Sequence, residues 1–239
     1  ERAEKLSCVV FDKTGTLTRG EPTVTDIVPI DGHDELEVLR LVAPDKGEAI
    51  DSYAKMLAAE HGVLYVVLRM EDFALLAGLE ADILQDGSLD CAPEILSQLH
   101  YVVASVHIRY KETEAQMTER MCTAIAQPKT RILGHPTGRL LGRREGYAVD
   151  MNVVIDAAVK HNVAIEINAG PERMDLCDEW VRIGAGKGAK FSINADAHSI
   201  NHFDWLPYGL AMARRAGLTK EQVVNCWEPG KLVAWLLRI

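Results

Sequence analysis

The sequence predicts an α/β fold of parallel strand–helix–strand units, and three observations carry that prediction. Short β-rich runs alternate with helical patterns along most of the chain, at the spacing of βαβ units. Of the 239 residues, 48% are hydrophobic, enough to bury a core in one large domain or two modest ones. Residues of metal-ligand type recur at the ends of predicted strands, where a parallel sheet or barrel gathers its functional groups.

The elements follow in order. Residues 8–11 read as a short buried strand. Residues 22–30 are extended, because Thr23, Val24, Thr25, Ile27 and Val28 are β-branched and stiff at χ1. Helical periodicity follows at 35–42 and 48–61, then a strand at 63–68, the longest apolar run. That run is far short of the ~18 apolar residues a membrane helix needs, so no membrane association is expected. From there the alternation is regular, with strands at 74–80, 101–106, 131–134, 163–167 and 190–193. Helices at 93–99, 112–126, 150–161 and 173–186 fit between them. The last part is helical, with Thr219 and Gln222 matching a capping box ahead of Val223 and Val224.

Charge and cysteine usage narrow the function classes. The 26 Lys+Arg against 35 Asp+Glu leave a formal charge of −9, which argues against a broad basic surface for nucleic acid. A nucleic-acid enzyme whose local charge is inverted by bound divalent cations stays open. The cysteines Cys8, Cys91, Cys122, Cys177 and Cys226 are scattered and form no C-x-x-C pair. Zinc ribbons, thioredoxin-like sites and a disulfide framework are disfavoured, and a reducing cytoplasm is expected. Residues 1–5 are too charged for a secretory leader, and the missing initiator Met reads as a fragment or a composite chain.

The ligand-type residues carry the most information. Glu80 ends the strand at 74–80, His107 follows 101–106, His135 follows 131–134, and Asp196 and His198 follow the strand at 190–193. The steps between Glu80, His107, His135 and Asp196 are 27, 28 and 61 residues; the last is nearly two units, filled by the strand that ends in Glu166 and Asn168. Strand ends of a parallel sheet share one face, so these side chains are expected to converge. Any one of these histidines, taken alone, is more often a packed or solvent-facing residue. Carboxylate and imidazole together suit Zn²⁺, Mn²⁺ or Fe²⁺, with Mg²⁺ as a further candidate, and the chemistry they support is hydrolytic.

The segments Ala77-Gly-Leu-Glu-Ala-Asp-Ile-Leu-Gln-Asp-Gly-Ser-Leu-Asp90, Val102-Val-Ala-Ser-Val-His107, Ile132-Leu-Gly-His-Pro-Thr-Gly-Arg139 and Ile193-Asn-Ala-Asp-Ala-His-Ser199 carry a resemblance. Together they are similar to the PHP (polymerase and histidinol phosphatase) domain, and more narrowly to that of bacterial family X DNA polymerases. The resemblance spans about residues 72–239, with the motifs in the family's order. It implies a distorted barrel-like (β/α) fold and a metal-dependent phosphoesterase or 3′–5′ exonuclease acting on a phosphoester, such as a nucleic-acid 3′ end. It matches Glu80, His107, His135, Asp196 and His198 to metal ligands. Arg139 follows the Gly-His-Pro motif and becomes a candidate phosphate contact through its bidentate guanidinium, with an exposed surface role as the alternative. The sequence departs from the family at the start: neither the His-x-His nor the Thr-Asp-His motif occurs, so the first strands and about half the ligand shell are missing or replaced.

Phe11-Asp-Lys-Thr-Gly-Thr-Leu-Thr18 places a carboxylate, Asp12, after a buried strand and beside a Gly-containing turn, a setting for an aspartyl-phosphate nucleophile. Residues 1–43 resemble the phosphorylation-motif segment of heavy-metal P-type ATPases. The motifs for nucleotide and Mg²⁺ that this chemistry requires are absent, so Asp12 is expected to be orphaned. Residues 44–71 form an unassigned helix–strand bridge, and the whole reads as a chimera. Three functions stay open: an impaired metal-dependent phosphoesterase, a non-catalytic α/β scaffold with one or no metal, and a phosphoryl-accepting fragment. No protein partner is indicated.

Overall fold

The computed structural model describes residues 76–238. The strands and helices expected before residue 74, and Asp12 with its motif, lie outside them. Among the described residues the fold is α/β and barrel-like. Strands β1 (Gly78–Asp82), β2 (Tyr101–Ser105), β3 (Thr130–Leu133), β4 (Ala164–Asn168) and β5 (Lys190–Asn194) lie side by side in chain order. The β2–β3, β3–β4 and β4–β5 pairs are parallel, with Ala164 opposite Lys190 and Asn168 opposite Asn194. Helices α1 (Pro93–Gln98), α2 (Glu114–Ile125), α3 (Met151–His161) and α4 (Asp178–Gly186) occupy the successive crossovers, and α5 (Leu206–Ala216) and α6 (Pro229–Leu237) follow β5. One helix per crossover in sequential order is the layout of a barrel wall.

Every residue of β2, β3 and β4 is buried, as expected for parallel strands covered on both faces. Helix α2 opens on a reciprocal capping box between Thr113 and Gln116 and buries Met117, Met121, Ala124 and Ile125 as one stripe. In α3 the Asp150 carboxylate caps the N–H groups of Asn152 and Val153, and the helix stops at Asn162 in the left-handed region. No helix of the described residues is long and apolar enough to cross a membrane.

Three elements differ from expectation, each for a local reason. The first strand runs to Asp82, which moves Glu80 from its end to its middle. The helix expected at 173–186 begins only at Asp178. Asp175 instead bridges Asn168 through its backbone, and its carboxylate turns inward to Thr137 and Gly138. Of the capping box at Thr219, only the bond from the Thr219 N–H to Gln222 Oε1 forms, at 3.2 Å. A single 3₁₀ turn follows, because Val223 bridges Phe191 in parallel and the Gln222 carbonyl accepts the Phe191 N–H at 2.8 Å.

Candidate metal centre

The carboxyl ends of the strands carry a polar face. Glu80 and Asp82 stand two residues apart in β1 and so project from the same side. The chain leaves β2 through Val106 to His107 and leaves β3 through Gly134 to His135. Their donor atoms meet. His135 Nε2 lies 3.4 Å and His107 Nε2 3.7 Å from Glu80 Oε1, and the two imidazole nitrogens are 3.1 Å apart. Ligands ~2.0–2.1 Å from a tetrahedral ion stand about 3.3 Å from each other. Glu80, His107 and His135 are therefore already spaced to hold one divalent cation, and their donor atoms all fall within 4.8 Å.

Neighbouring groups fix this arrangement. The Asp82 carboxylate binds His107 Nδ1, which leaves Nε2 facing the cluster. The Ser105 hydroxyl donates to Glu80 Oε1 at 2.6 Å. His135 has a backbone φ of +24°, held by a 2.6 Å bond from its N–H to Glu166 Oε2. A side chain at Gly134 would strike the Ser105 hydroxyl, because a Cβ there would lie 2.2 Å from Oγ. His135 Nδ1 is buried without a hydrogen-bond partner among the described residues. The Asp175 carboxylate accepts from the Thr137 N–H at 3.0 Å, the Thr137 hydroxyl at 2.9 Å and the Gly138 N–H at 3.0 Å, bracing the loop that carries His135.

Behind this cluster lies a second layer from β4 and β5. Glu166 is buried and accepts from Asn194 Nδ2 at 2.8 Å and Asn168 Nδ2 at 3.3 Å. Asn168 Nδ2 also donates to Asp196 Oδ2 at 3.0 Å, and the Arg173 guanidinium lies 3.3 Å from that same oxygen. His198 stands half-exposed, its Nδ1 2.8 Å from the carbonyl of Asp196. Of the five expected ligands, the structure thus brings Glu80, His107 and His135 into one group. Asp196 joins the same face through Asn168, and His198 lies at its rim. Arg139 donates to the carbonyls of Arg173, at 2.9 Å, and Met174, so it braces the turn that presents Arg173.

Electrostatics follow from the geometry. Burial raises the Glu80 carboxyl, but the hydrogen bond and charge of His135, the Ser105 hydroxyl and the charge of His107 outweigh it and hold it at about 2. Burial alone would lower His135; the Glu80 bond and the Glu166 charge raise it instead. Burial, reinforced by the charge of Asp196, pushes Glu166 up to about 7 against the opposing effects of His135 and Asn194. Burial also raises Asp175.

Sequence reasoning missed Asp82, Arg173 and Asp175. Asp82 had a signal, since strand alternation places it on the Glu80 face. Arg173 and Asp175 had none, because they sit in what periodicity reads as a helix.

Comparison with known proteins supplies the remaining observations. The chain is 38% identical over 168 residues to the DNA polymerase/3′-5′ exonuclease PolX of Bacillus subtilis; this covers 70% of the chain but only 30% of PolX. It is 31% identical over 178 residues to a probable phosphatase of Vibrio atlanticus, covering 70% of the chain and 69% of that protein. A shorter match, 50% over 66 residues, joins 26% of the chain to 8% of a probable copper-exporting P-type ATPase of Archaeoglobus fulgidus. No family model matches the chain.

Proposed function

This chain belongs to the PHP-like phosphoesterase family, and on that premise we propose that its strand-end face is a divalent-metal phosphoesterase site. The observation that carries the proposal is the convergence of Glu80, His107 and His135, from three strands, into one group of donor atoms. These three residues would hold the cation, with Asp196 and His198 as further ligands on the same face. Mn²⁺ and Zn²⁺ suit the mixed carboxylate–imidazole set best, ahead of Fe²⁺ and Mg²⁺. When bound, such an ion supplies Lewis acidity and a hydroxide nucleophile at neutral pH.

The chain's own residues account for the rest. Asp82 orients His107, and Glu166 holds the His135 backbone. Arg173, with a side chain 22% exposed beside Asp196, offers a guanidinium to an incoming phosphate. Arg139 supports that presentation from behind, which makes its contact with phosphate indirect. The substrate is a phosphoester, for which a nucleic-acid 3′ end is a candidate. Without the family's first two ligand motifs, turnover is expected to be impaired.

A second reading, a scaffold that binds one ion without turnover, is favoured by one observation: Asp196 Oδ2 is already taken up by Asn168 and Arg173. Purified protein supplied with Mn²⁺ separates the two. Hydrolysis of p-nitrophenyl phosphate or shortening of a labelled oligonucleotide, abolished by His107→Ala, supports the enzyme. Stoichiometric metal without turnover supports the scaffold. Hydroxylamine-labile labelling from ATP, removed by Asp12→Asn, would instead revive the phosphoryl-acceptor reading.

A further inference from the structure

We propose that the opposite end of the sheet carries a second binding site, for a phosphate-bearing polyanion. A groove of about 600 Å³ opens at the amino-terminal ends of β4 and β5. Lys160 enters it from the end of α3, Lys190 from the first position of β5, and Lys231 and Arg238 from α6 and its cap. Trp227 and Trp235 form its walls. The metal-centre residues stand where the strands end and these stand where they begin, so the groove is a separate site and its test does not depend on hydrolysis.

Four cations gathered in a chain of net charge −9 need a reason. None of them forms an ion pair with a carboxylate among the described residues. Lys190 bonds Asn162 Oδ1, Lys231 sits 4.0 Å over the Trp227 ring, and Arg238 reaches the carbonyls of Thr130 and His161 at 3.4 Å each. Two acids stand on the same segments: Glu228, which precedes the helix of Lys231, and Glu221, whose carboxyl is lowered by its Thr219 hydrogen bond and by Lys220 and Lys231. Burial and the charge of Lys231 both lower Lys190, and burial and Arg238 bring neighbouring Arg131 down to about 10. The cations repel one another, and a bound anion relieves that repulsion.

The walls are set in advance. The Trp235 indole N–H donates to the Asn162 carbonyl at 3.0 Å and that of Trp227 to the Glu221 carbonyl at 2.8 Å, so neither ring must be ordered on binding. The volume lies within the ~300–1,000 Å³ of small-ligand pockets. Ammonium and guanidinium groups brought in from separate elements match several phosphates better than one.

The test uses the whole chain in chelator-containing buffer, titrated with sodium triphosphate, a fluorescein-labelled oligothymidylate and poly-glutamate. Indole fluorescence and anisotropy report binding. The proposal expects saturable binding of triphosphate or oligonucleotide that weakens with salt and falls at least ~10-fold in Lys190→Glu/Lys231→Glu. His107→Ala should change it less than ~2-fold, since its site is elsewhere. Triphosphate alone would assign a free polyphosphate, and tighter oligonucleotide binding a nucleic-acid backbone; either supports the site. Failure of both to bind, full affinity in the charge-reversed variant, or tighter binding of poly-glutamate overturns it. Should the double variant lose its native circular dichroism, exposed Lys231→Gln replaces it, and a loss of ~3-fold or more with a shallower salt slope is required.

Discussion

Asp82 decides which nitrogen of His107 faces the cluster, and that makes it the sharpest residue-level test. Replacing it by Asn leaves the shape but removes the charge that favours an Nδ1–H tautomer. Asp82→Asn is therefore expected to weaken metal binding ~10–100-fold, read by competition with a chromogenic chelator. Proton linkage gives a second test on metal-free protein. Glu166, His135 and Asp175 all have raised pKa values, Glu166 to about 7, so their stabilising contribution is full at low pH and is lost as pH rises. Glu80, held at about 2, acts oppositely: its contribution is present above the usual carboxylate range and lost only as pH falls through it. The unfolding temperature in chelator should fall between pH 5 and 8, and Glu166→Gln should flatten that slope; a rise with pH would contradict this reading of the buried layer.

At the scale of elements, buried arginines tie chain segments together, and one of them holds the exits of β1 and β2. The side chain of Arg120, wholly buried in α2, donates to the carbonyls of Ile83, Leu84 and Ile108 and pairs with Glu112 at 3.3 Å. It thereby joins the exits of β1 and β2, which present Asp82 and His107. Arg120→Met would strand three carbonyls and a carboxylate, at a cost of roughly 3 kcal/mol or more in chemical denaturation. Arg131 does the same for the end of α6, donating to the carbonyls of Trp235 and Leu236 at 3.1 and 3.0 Å. Such roles leave little trace in a sequence. Met117, Met121, Ala124 and Ile125 announce α2 by spacing, but nothing in that spacing marks Arg120 as buried. Likewise the pattern at 173–186 is helical by periodicity, whereas Asp175 and Arg173 are drawn to Thr137 and Asp196, contacts formed by residues far away in the chain. The capping box at Thr219 was half legible, because its bond forms while Val223 is claimed by Phe191.

Across the whole molecule, the parallel strand–helix alternation and the convergence of Glu80, His107 and His135 were readable, because parallel topology alone brings strand ends to one face. The division of labour on that face was not. Spacing could not reveal that Asp196 is engaged by Asn168 and Arg173, or that His198 stays at the rim. The basic groove at the other end was hidden for the same reason: Lys160, Lys190, Lys231 and Arg238 are scattered in sequence and meet only in the fold. The claim on which the rest depends is that three strands build one metal site. Metal content of the purified chain after loading with Mn²⁺ or Zn²⁺ and gel filtration tests it directly, beside a Glu80→Ala/His107→Ala variant checked for native circular dichroism. About one ion or more per wild-type chain, lost in the variant together with the rise in unfolding temperature that metal confers, is the expected result. A wild-type chain that emerges metal-free, or a folded variant that retains the same metal, would contradict it.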